Sequence, residues 1–232
     1  MNISGKPLKK LIRSKSGLKI VTANDEDKSP FVQQEPEWIP DCEVMFCTKC
    51  HMKFGFTRRR HHCRRCGLIF CSSCCNAKLQ LPRMCFFDPV RICDLCTSVT
   101  NEENEFFKYQ LRTLLIGSKF EYSTVDCSKS PKFSSICICK LSPDHRYLIF
   151  DEPEINPVSL NSILSLKLLK GSDEDICGID VEHISEHREV FRLRNLGDPN
   201  ELVSSTDWIS SLLSAFVLFL KGKSEEDAYI VG

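Results

Sequence analysis

Fifteen of the 232 residues are cysteine, and eight of these fall into four CxxC pairs: Cys47/Cys50, Cys63/Cys66, Cys71/Cys74 and Cys93/Cys96. Zinc takes four soft ligands in a tetrahedron, and two intervening residues let a tight turn present both thiolates of a pair to one ion. Eight thiolates close two sites, so two structural Zn2+ ions are expected, neither with an open coordination position for catalysis. Spacing alone leaves the combination of pairs open. Only four residues separate Cys66 from Cys71, so sequential pairing and an interleaved cross-brace both remain. The other cysteines, Cys42, Cys75, Cys85, Cys127, Cys137, Cys139 and Cys177, read as small buried hydrophobes or free thiols. Cys75 directly follows a ligand, but the CxxC spacing favours Cys74.

Between the first two pairs runs Arg58-Arg59-Arg60-His61-His62-Cys63-Arg64-Arg65. Arginine presents a planar fork that pairs with phosphate oxygens in bidentate fashion. Imidazoles donate to hydroxyls and gain charge beside an anion. Cys63 lies inside the run, so metal would fix its geometry. Arg91, two residues before Cys93, is pinned in the same way. In a cross-brace Arg60, Arg64 and Arg91 can converge on one pocket. Pinned arginines with two histidines suit a polyol that carries phosphate.

The segments Trp38-Ile39-Pro40-Asp41, Arg59-Arg60-His61-His62-Cys63-Arg64 and Arg91-Ile92-Cys93 resemble the WxxD, R(R/K)HHCR and RVC signatures of FYVE zinc fingers. The resemblance implies a cross-brace, with Cys47, Cys50, Cys71 and Cys74 on one zinc and Cys63, Cys66, Cys93 and Cys96 on the other. It implies phosphatidylinositol 3-phosphate as the ligand. Arg60, Arg64 and Arg91 would take the 3-phosphate, and Arg59 would face the 1-phosphate and the bilayer. His61 and His62, with Asp41 behind them, would take the inositol hydroxyls. The membrane-inserting turret corresponds to Phe54-Gly55-Phe56-Thr57-Arg58, with Phe54 packed inside and Phe56 and Thr57 in lipid. Arg58 departs from an apolar family position, which trades insertion depth for attraction to anionic lipid. Over Lys9–Ser14, Arg83–Phe86 and Asp88–Arg91 the chain also resembles one FYVE-containing adaptor. That resemblance implies a cytoplasmic protein, peripheral on endosomes and vesicles and present at focal adhesions, with a pleckstrin-homology-like (PH-like) second domain.

These residues need elements to position them. Residues 1–37 read as a basic, largely disordered tail, with Leu8, Leu11 and Ile12 able to share a helical face and contact anionic lipid. A FYVE-type finger occupies 38–98, too small for a core of its own without metal. A linker helix is expected over 99–111, centred on Asn101–Gln110. Short β-branched and aromatic runs follow at Leu114–Thr124, Ser134–Leu141, Tyr147–Asp151, Ile163–Leu169, Gly178–Ile184 and Val190–Leu196. Turn signals such as Ser142-Pro143-Asp144-His145 and Gly171-Ser172-Asp173 separate them. The last element reads as one amphipathic helix through Trp208, Ile209, Leu212, Leu213, Phe216, Val217 and Leu220, capped by Thr206 or Asp207. The expected class is α+β: a small two-zinc cross-brace finger, then a PH-like antiparallel β-sandwich over 112–222 closed by a C-terminal helix, and a tail over 223–232.

Net charge is zero but unevenly spread. Residues 38–98 carry ten Lys/Arg against four Asp/Glu, or +6; eight thiolates and two zincs bring the loaded finger to about +2 (6 − 8 + 4). Residues 99–232 carry fourteen against twenty-two, or −8, which disfavours a second anionic ligand and favours a protein partner. Lys119, Lys129, Lys132 and Lys140 form no cationic cluster there. Homodimerisation would supply avidity to a weak single-headgroup contact. His183 and His187 read as surface histidines. The first twenty residues hold six cations and no acid, as in a mitochondrial transit peptide, but Gly5, Pro7 and Gly17 interrupt a long helix. The apolar run Ile209–Leu220 is too short to span a bilayer. No catalytic carboxylate pair, nucleophile elbow or phosphate loop is legible, so no enzyme is expected. A RING-type ubiquitin ligase would place a histidine among the ligands. A nucleic-acid finger would add a recognition helix and base-stacking aromatics, so no nucleic-acid partner is expected.

Overall fold

The computed structural model describes residues 7–125, 133–172, 174–196 and 203–228, with side chains to 222. Cys127, Lys129, Lys132 and Asp173 lie outside the described residues. Contacts divide the chain into one unit over Leu8–Phe107 and a second from Lys108 onward.

The first unit begins with an antiparallel hairpin, β1 (Lys9–Arg13) and β2 (Leu18–Thr22). This corrects the expectation of a disordered tail with a helical face. Its turn is held by Ser14 N–H donating to the Gly17 carbonyl at 2.9 Å. The rest of the finger supplies what ten paired residues cannot. Lys19 lies over the Phe86 ring (5.2 Å) and pairs with Glu35 (2.8 Å), which also accepts from Ser14 and Ser16. Further along the expected tail, Phe31 is wholly buried edge-on to Phe106. Then come β3 (His61–His62) paired with β4 (Ile69–Phe70), and β5 (Ala77–Leu81) paired with β6 (Phe86–Ile92). Helix α1 (Asp94–Glu105) completes the unit, so the expected linker helix begins at the last CxxC pair.

A π-turn (Phe106–Gln110) and α2 (Leu111–Ile116) follow. Leu114 was expected to open a strand. Leu111 and Leu114 instead bury one face of a helix at i, i+3, and the chain turns only at Gly117, whose φ is +88°. A Cβ there would lie 2.9 Å from the Cys139 carbonyl oxygen, so glycine is required both by conformation and by space.

The second unit holds a seven-stranded antiparallel sheet: β7 (Ser118–Val125), β8 (Ser134–Leu141), β9 (Tyr147–Phe150), β10 (Val158–Ser159), β11 (Ile163–Lys170), β12 (Ile176–Ile184) and β13 (Arg188–Asn195). Its order is β10-β9-β8-β7-β13-β12-β11. Strands β8, β9 and β10 meander away from β7, and β11, β12 and β13 return to it, so the first and last strands pair, with Phe191 opposite Thr124 and Leu193 opposite Tyr122. This is the PH-like topology. Alternation places Phe120, Tyr122, Cys137, Cys139, Val181 and Phe191 inside. Helix α3 (Ser205–Ala228) packs on this sheet, continuing past the expected boundary at 222. Trp208 is buried, its ring edge-on to Phe120 and its indole N–H donating to the Leu114 carbonyl. The cap is Ser204, whose hydroxyl accepts from the Asp207 amide at 3.1 Å, rather than Thr206 or Asp207.

The Ser142–His145 turn is built on a buried carboxylate. Asp144 accepts from Ser142 Oγ, from Arg146 Nε at 2.7 Å and from the Arg146 amide at 3.1 Å. Burial pushes its pKa up, but the Ser142 and Arg146 bonds outweigh it and hold the carboxyl below the usual range. A depressed carboxyl stabilises the fold above its unfolded pKa and loses that contribution as pH falls through the folded value. Asp144→Asn is expected to cost about 1–3 kcal/mol at neutral pH. Its gap to the wild type should close in acid denaturation below about pH 4. A constant gap across that window would show that the charge contributes nothing.

Candidate functional site

The first CxxC turn is closed by the His51 amide donating to the Cys47 carbonyl (2.9 Å), with His51 at φ +55°. The second repeats the geometry: Gly67 N–H donates to the Cys63 carbonyl (2.9 Å), with φ +74°. Each turn therefore needs a left-handed residue just after its second cysteine. At Gly67 a Cβ would sit 2.2 Å from the Glu37 carbonyl oxygen, so only glycine fits. Cys71 and Cys74 flank a 3-10 turn, and Cys93 caps α1 with Cys96 in its first turn.

These elements gather two ligand sets, Cys47/Cys50/Cys71/Cys74 and Cys63/Cys66/Cys93/Cys96, with all Sγ atoms of a set within 4.8 Å of one another. Cross-bracing is therefore the arrangement, and sequential pairing is excluded. A zinc–sulfur bond of about 2.3 Å in a tetrahedron requires sulfur–sulfur edges of about 3.8 Å. Cys50 and Cys71 Sγ are 3.8 Å apart, and Cys66 and Cys93 Sγ 4.0 Å. Both donor sets fit a structural zinc ion. Neither contains a histidine, which removes the RING-type ligand pattern. Cys75, fully buried, stands outside both sets.

The basic run is laid on this frame. Arg64 follows Cys63, and its amide donates to the Arg91 carbonyl at 3.0 Å, tying the two arginines across the brace. Burial, then Arg91, Arg64 and Arg59, push the His61 imidazole below its ordinary value, and burial and Arg91 do the same to Arg64. Three guanidiniums thus act on one imidazole, which burial and their charge keep toward its neutral form. Arg60 is held elsewhere: its Nε donates to the Val44 carbonyl (2.9 Å) and its guanidinium lies 5.0 Å over Phe54. Arg91 Nη1 donates to the Cys75 carbonyl at 2.6 Å.

His62 Nε2 is 2.7 Å from the Ile39 carbonyl, which can only accept, so Nε2 carries the proton. Asp41, largely exposed, is 3.8 Å from that nitrogen, beyond hydrogen-bond distance. Trp38 was visible in the sequence only as a signature residue. Its ring stacks on His62 (4.6 Å, 19°), and the Arg64 guanidinium lies 4.9 Å from it. It thus positions two residues of the site. The Gly55 amide donates to the Arg58 carbonyl at 3.0 Å, forming a tight turn that leaves Phe56 93% exposed, with Thr57 also exposed and Phe54 buried beneath.

A second arrangement lies on the other flank. Glu103 of α1 is buried and accepts from Arg65, which sits between ligands Cys63 and Cys66, and from the buried Arg83. No sequence pattern marks it, since its partners lie 38 and 20 residues away.

Comparisons with known proteins identify the family. The family described as FYVE zinc finger matches residues 37–102, and the family described as zinc finger FYVE domain-containing protein 21 C-terminus matches residues 105–224. Zinc finger FYVE domain-containing protein 16 of Mus musculus is 40% identical over 98 residues, covering 39% of this chain and 6% of that protein. Phosphatidylinositol-3,5-bisphosphate 3-phosphatase MTMR4 of Xenopus laevis is 35% identical over 92 residues, covering 40% and 8%. The chain thus spans less than a tenth of either relative. The solution structure of the LM5-1 FYVE domain from Leishmania major is 33% identical, covers 30% of this chain and 82% of that domain, and has a TM-score of 0.28. With a FYVE zinc finger ahead of a domain that fills more than half of its length, the chain belongs to the family of the zinc finger FYVE domain-containing protein 21 C-terminus.

Proposed function

We propose that the finger binds phosphatidylinositol 3-phosphate and thereby recruits the chain, as a peripheral adaptor, to endosomal and vesicle membranes. The observation that carries this reading is the pairing of Arg64 and Arg91, tied by the 3.0 Å bond from the Arg64 amide to the Arg91 carbonyl beside the second cysteine set, with the Arg64 guanidinium against Trp38, which stacks on His62. A phosphate placed there would offset both the burial and the neighbouring positive charge that lower His61 and Arg64. Arg60 would reach the phosphate through its terminal nitrogens only, since Nε already bonds Val44. His62, oriented by Trp38 and with Asp41 nearby, would take inositol hydroxyls. Phe56 and Thr57 would enter the lipid, where one buried aromatic contributes about 2–3 kcal/mol. Among the described residues no helix is long and apolar enough to cross a membrane, so attachment would be by this surface.

Flotation with phosphatidylcholine vesicles containing the 3-phosphate or the 4-phosphate lipid tests the reading. The wild type should float with the first and not the second. Arg64→Ala should reduce flotation at least about tenfold, the scale of one charge-assisted phosphate contact, while retaining two zinc equivalents. Equal flotation with both lipids would remove headgroup reading.

For the PH-like unit the proposal is a protein contact, with focal adhesions and endosomal signalling complexes as its setting. Residues 99–232 net −8, and three of the arginines there are engaged by carboxylates: Arg192 with Asp180 (2.6 and 2.8 Å), Arg188 with Glu182, Arg146 with Asp144. That leaves poor electrostatics for a second anionic lipid. Capture of partners by residues 108–232 compared with a version carrying Ile136→Lys and Ile138→Lys, two exposed apolar residues of β8, would test whether that strand carries the contact.

A further inference from the structure

The β1–β2 hairpin has two unlike faces. Directly opposed residues of an antiparallel pair point the same way, and alternate residues along each strand share a face. One face therefore collects Lys9, Leu11 and Arg13 of β1 with Leu18, Ile20 and Thr22 of β2. The other collects Lys10, Ile12, Lys19 and Val21, and Lys19 is turned onto the finger by Phe86 and Glu35. A backbone bond from the Ile20 amide to the Cys85 carbonyl (3.2 Å) fastens β2 to the same body. The first face is left outward. Leu11 is 63% exposed, Leu18 43% and Ile20 41%, with Lys9 and Arg13 exposed at either end.

Three adjacent large aliphatic side chains in water need an explanation when nothing covers them. The flanking charges indicate the occupant. The paired residues 9–13 and 18–22 contain no Asp or Glu, so the face is apolar at its centre and the only charges at its ends are the cations Lys9 and Arg13. That is the profile of a surface that seats at a bilayer interface, with aliphatics at the acyl boundary and cations on lipid phosphates. We propose that this hairpin face is a second membrane contact, one that takes the anionic bilayer itself rather than a particular headgroup. It rests on the peripheral-membrane reading of the finger, and it gives that finger avidity, since hairpin and headgroup site belong to one compact unit.

The test uses the full-length, zinc-loaded chain and sedimentation with four vesicle types: phosphatidylcholine alone, with phosphatidylserine, with the 3-phosphate lipid, and with both. Lys9→Gln/Arg13→Gln is expected to lower partition onto phosphatidylserine vesicles about 30-fold at low salt, from about fivefold per cation lost. It should leave binding to the 3-phosphate lipid in phosphatidylcholine within about threefold. Leu11→Ser/Leu18→Ser should lower partition onto both phosphatidylserine-containing vesicles and, unlike the charge variant, do so at high salt as well. Failure of the headgroup reading would appear as equal binding with and without the 3-phosphate lipid. Failure of the present proposal would appear as phosphatidylserine dependence that neither double variant changes, an outcome that would assign the face to a protein partner instead.

Discussion

Cys63→Ser should abolish the fold of the finger, not merely its ligand affinity. The Cys63 thiolate is fully buried and belongs to the second ligand set. The finger's core is built around the ligand cysteines themselves, with Cys47, Cys63, Cys71, Cys74 and Cys93 packed among Ile69, Phe70, Phe86 and Ile92. A serine hydroxyl is a poor zinc ligand, and structural zinc supplies about 10–16 kcal/mol in small metal-dependent folds. That exceeds the total stability of most domains. The variant should therefore lose at least one zinc equivalent in a colorimetric release assay. The amide signals of residues 38–98 should collapse toward unfolded shifts, while the β7–β13 sheet keeps its dispersion. A chelator added to the wild type should reproduce both effects. Cys177→Ser, at an exposed position in neither ligand set, should leave zinc content unchanged. Retention of two zinc equivalents by Cys63→Ser would show that the second set does not hold metal.

The zinc framework was legible because CxxC spacing is a local signal that tertiary structure does not rewrite. The second unit was legible for a similar reason, since alternation along β7, β8, β12 and β13 fixes which side chains are inside. What failed was structure that depends on distant partners. The β1–β2 hairpin leaves its aliphatic face outward, so its order comes instead from Phe86, Cys85 and Glu35. Leu114 lies in a stretch equally apolar for helix or strand, and Gly117 decides between them by where the chain must turn. Within the site, Arg60 is grouped with Arg64 and Arg91 by the cross-brace and by the family resemblance. Its contacts with the Val44 carbonyl and the Phe54 ring, which occupy Nε and one face of the guanidinium, are not legible in that spacing.

Helix α1 was the least legible element, and it leads to the second large effect. Its face toward the finger carries Cys96, Thr100 and Glu103, at i, i+4 and i+7, and the last two are buried. A stripe of thiolate, hydroxyl and carboxylate gives no hydrophobic period, so the sequence shows only a linker helix over 99–111. The carboxylate is in fact shared by two guanidiniums. Arg65 donates from both terminal nitrogens and Arg83 from one at 3.0 Å, with Glu103 5% and Arg83 2% exposed. Removing one partner from such a buried group costs about 3–5 kcal/mol, because the charges left behind lose both their Coulombic partner and their acceptor. Glu103→Ala is expected to destabilise the Leu8–Phe107 unit by that amount in urea titration. Glu103→Gln keeps one acceptor oxygen and should fall between. Arg65 sits inside the Cys63–Cys66 turn, so the same variant should also release zinc faster under chelator challenge. Pairing Glu103→Leu with Arg83→Met should recover part of the loss, since replacing a buried pair with apolar groups of similar volume is close to neutral. If Glu103→Ala unfolds within about 0.5 kcal/mol of wild type, α1 is held by its apolar contacts alone.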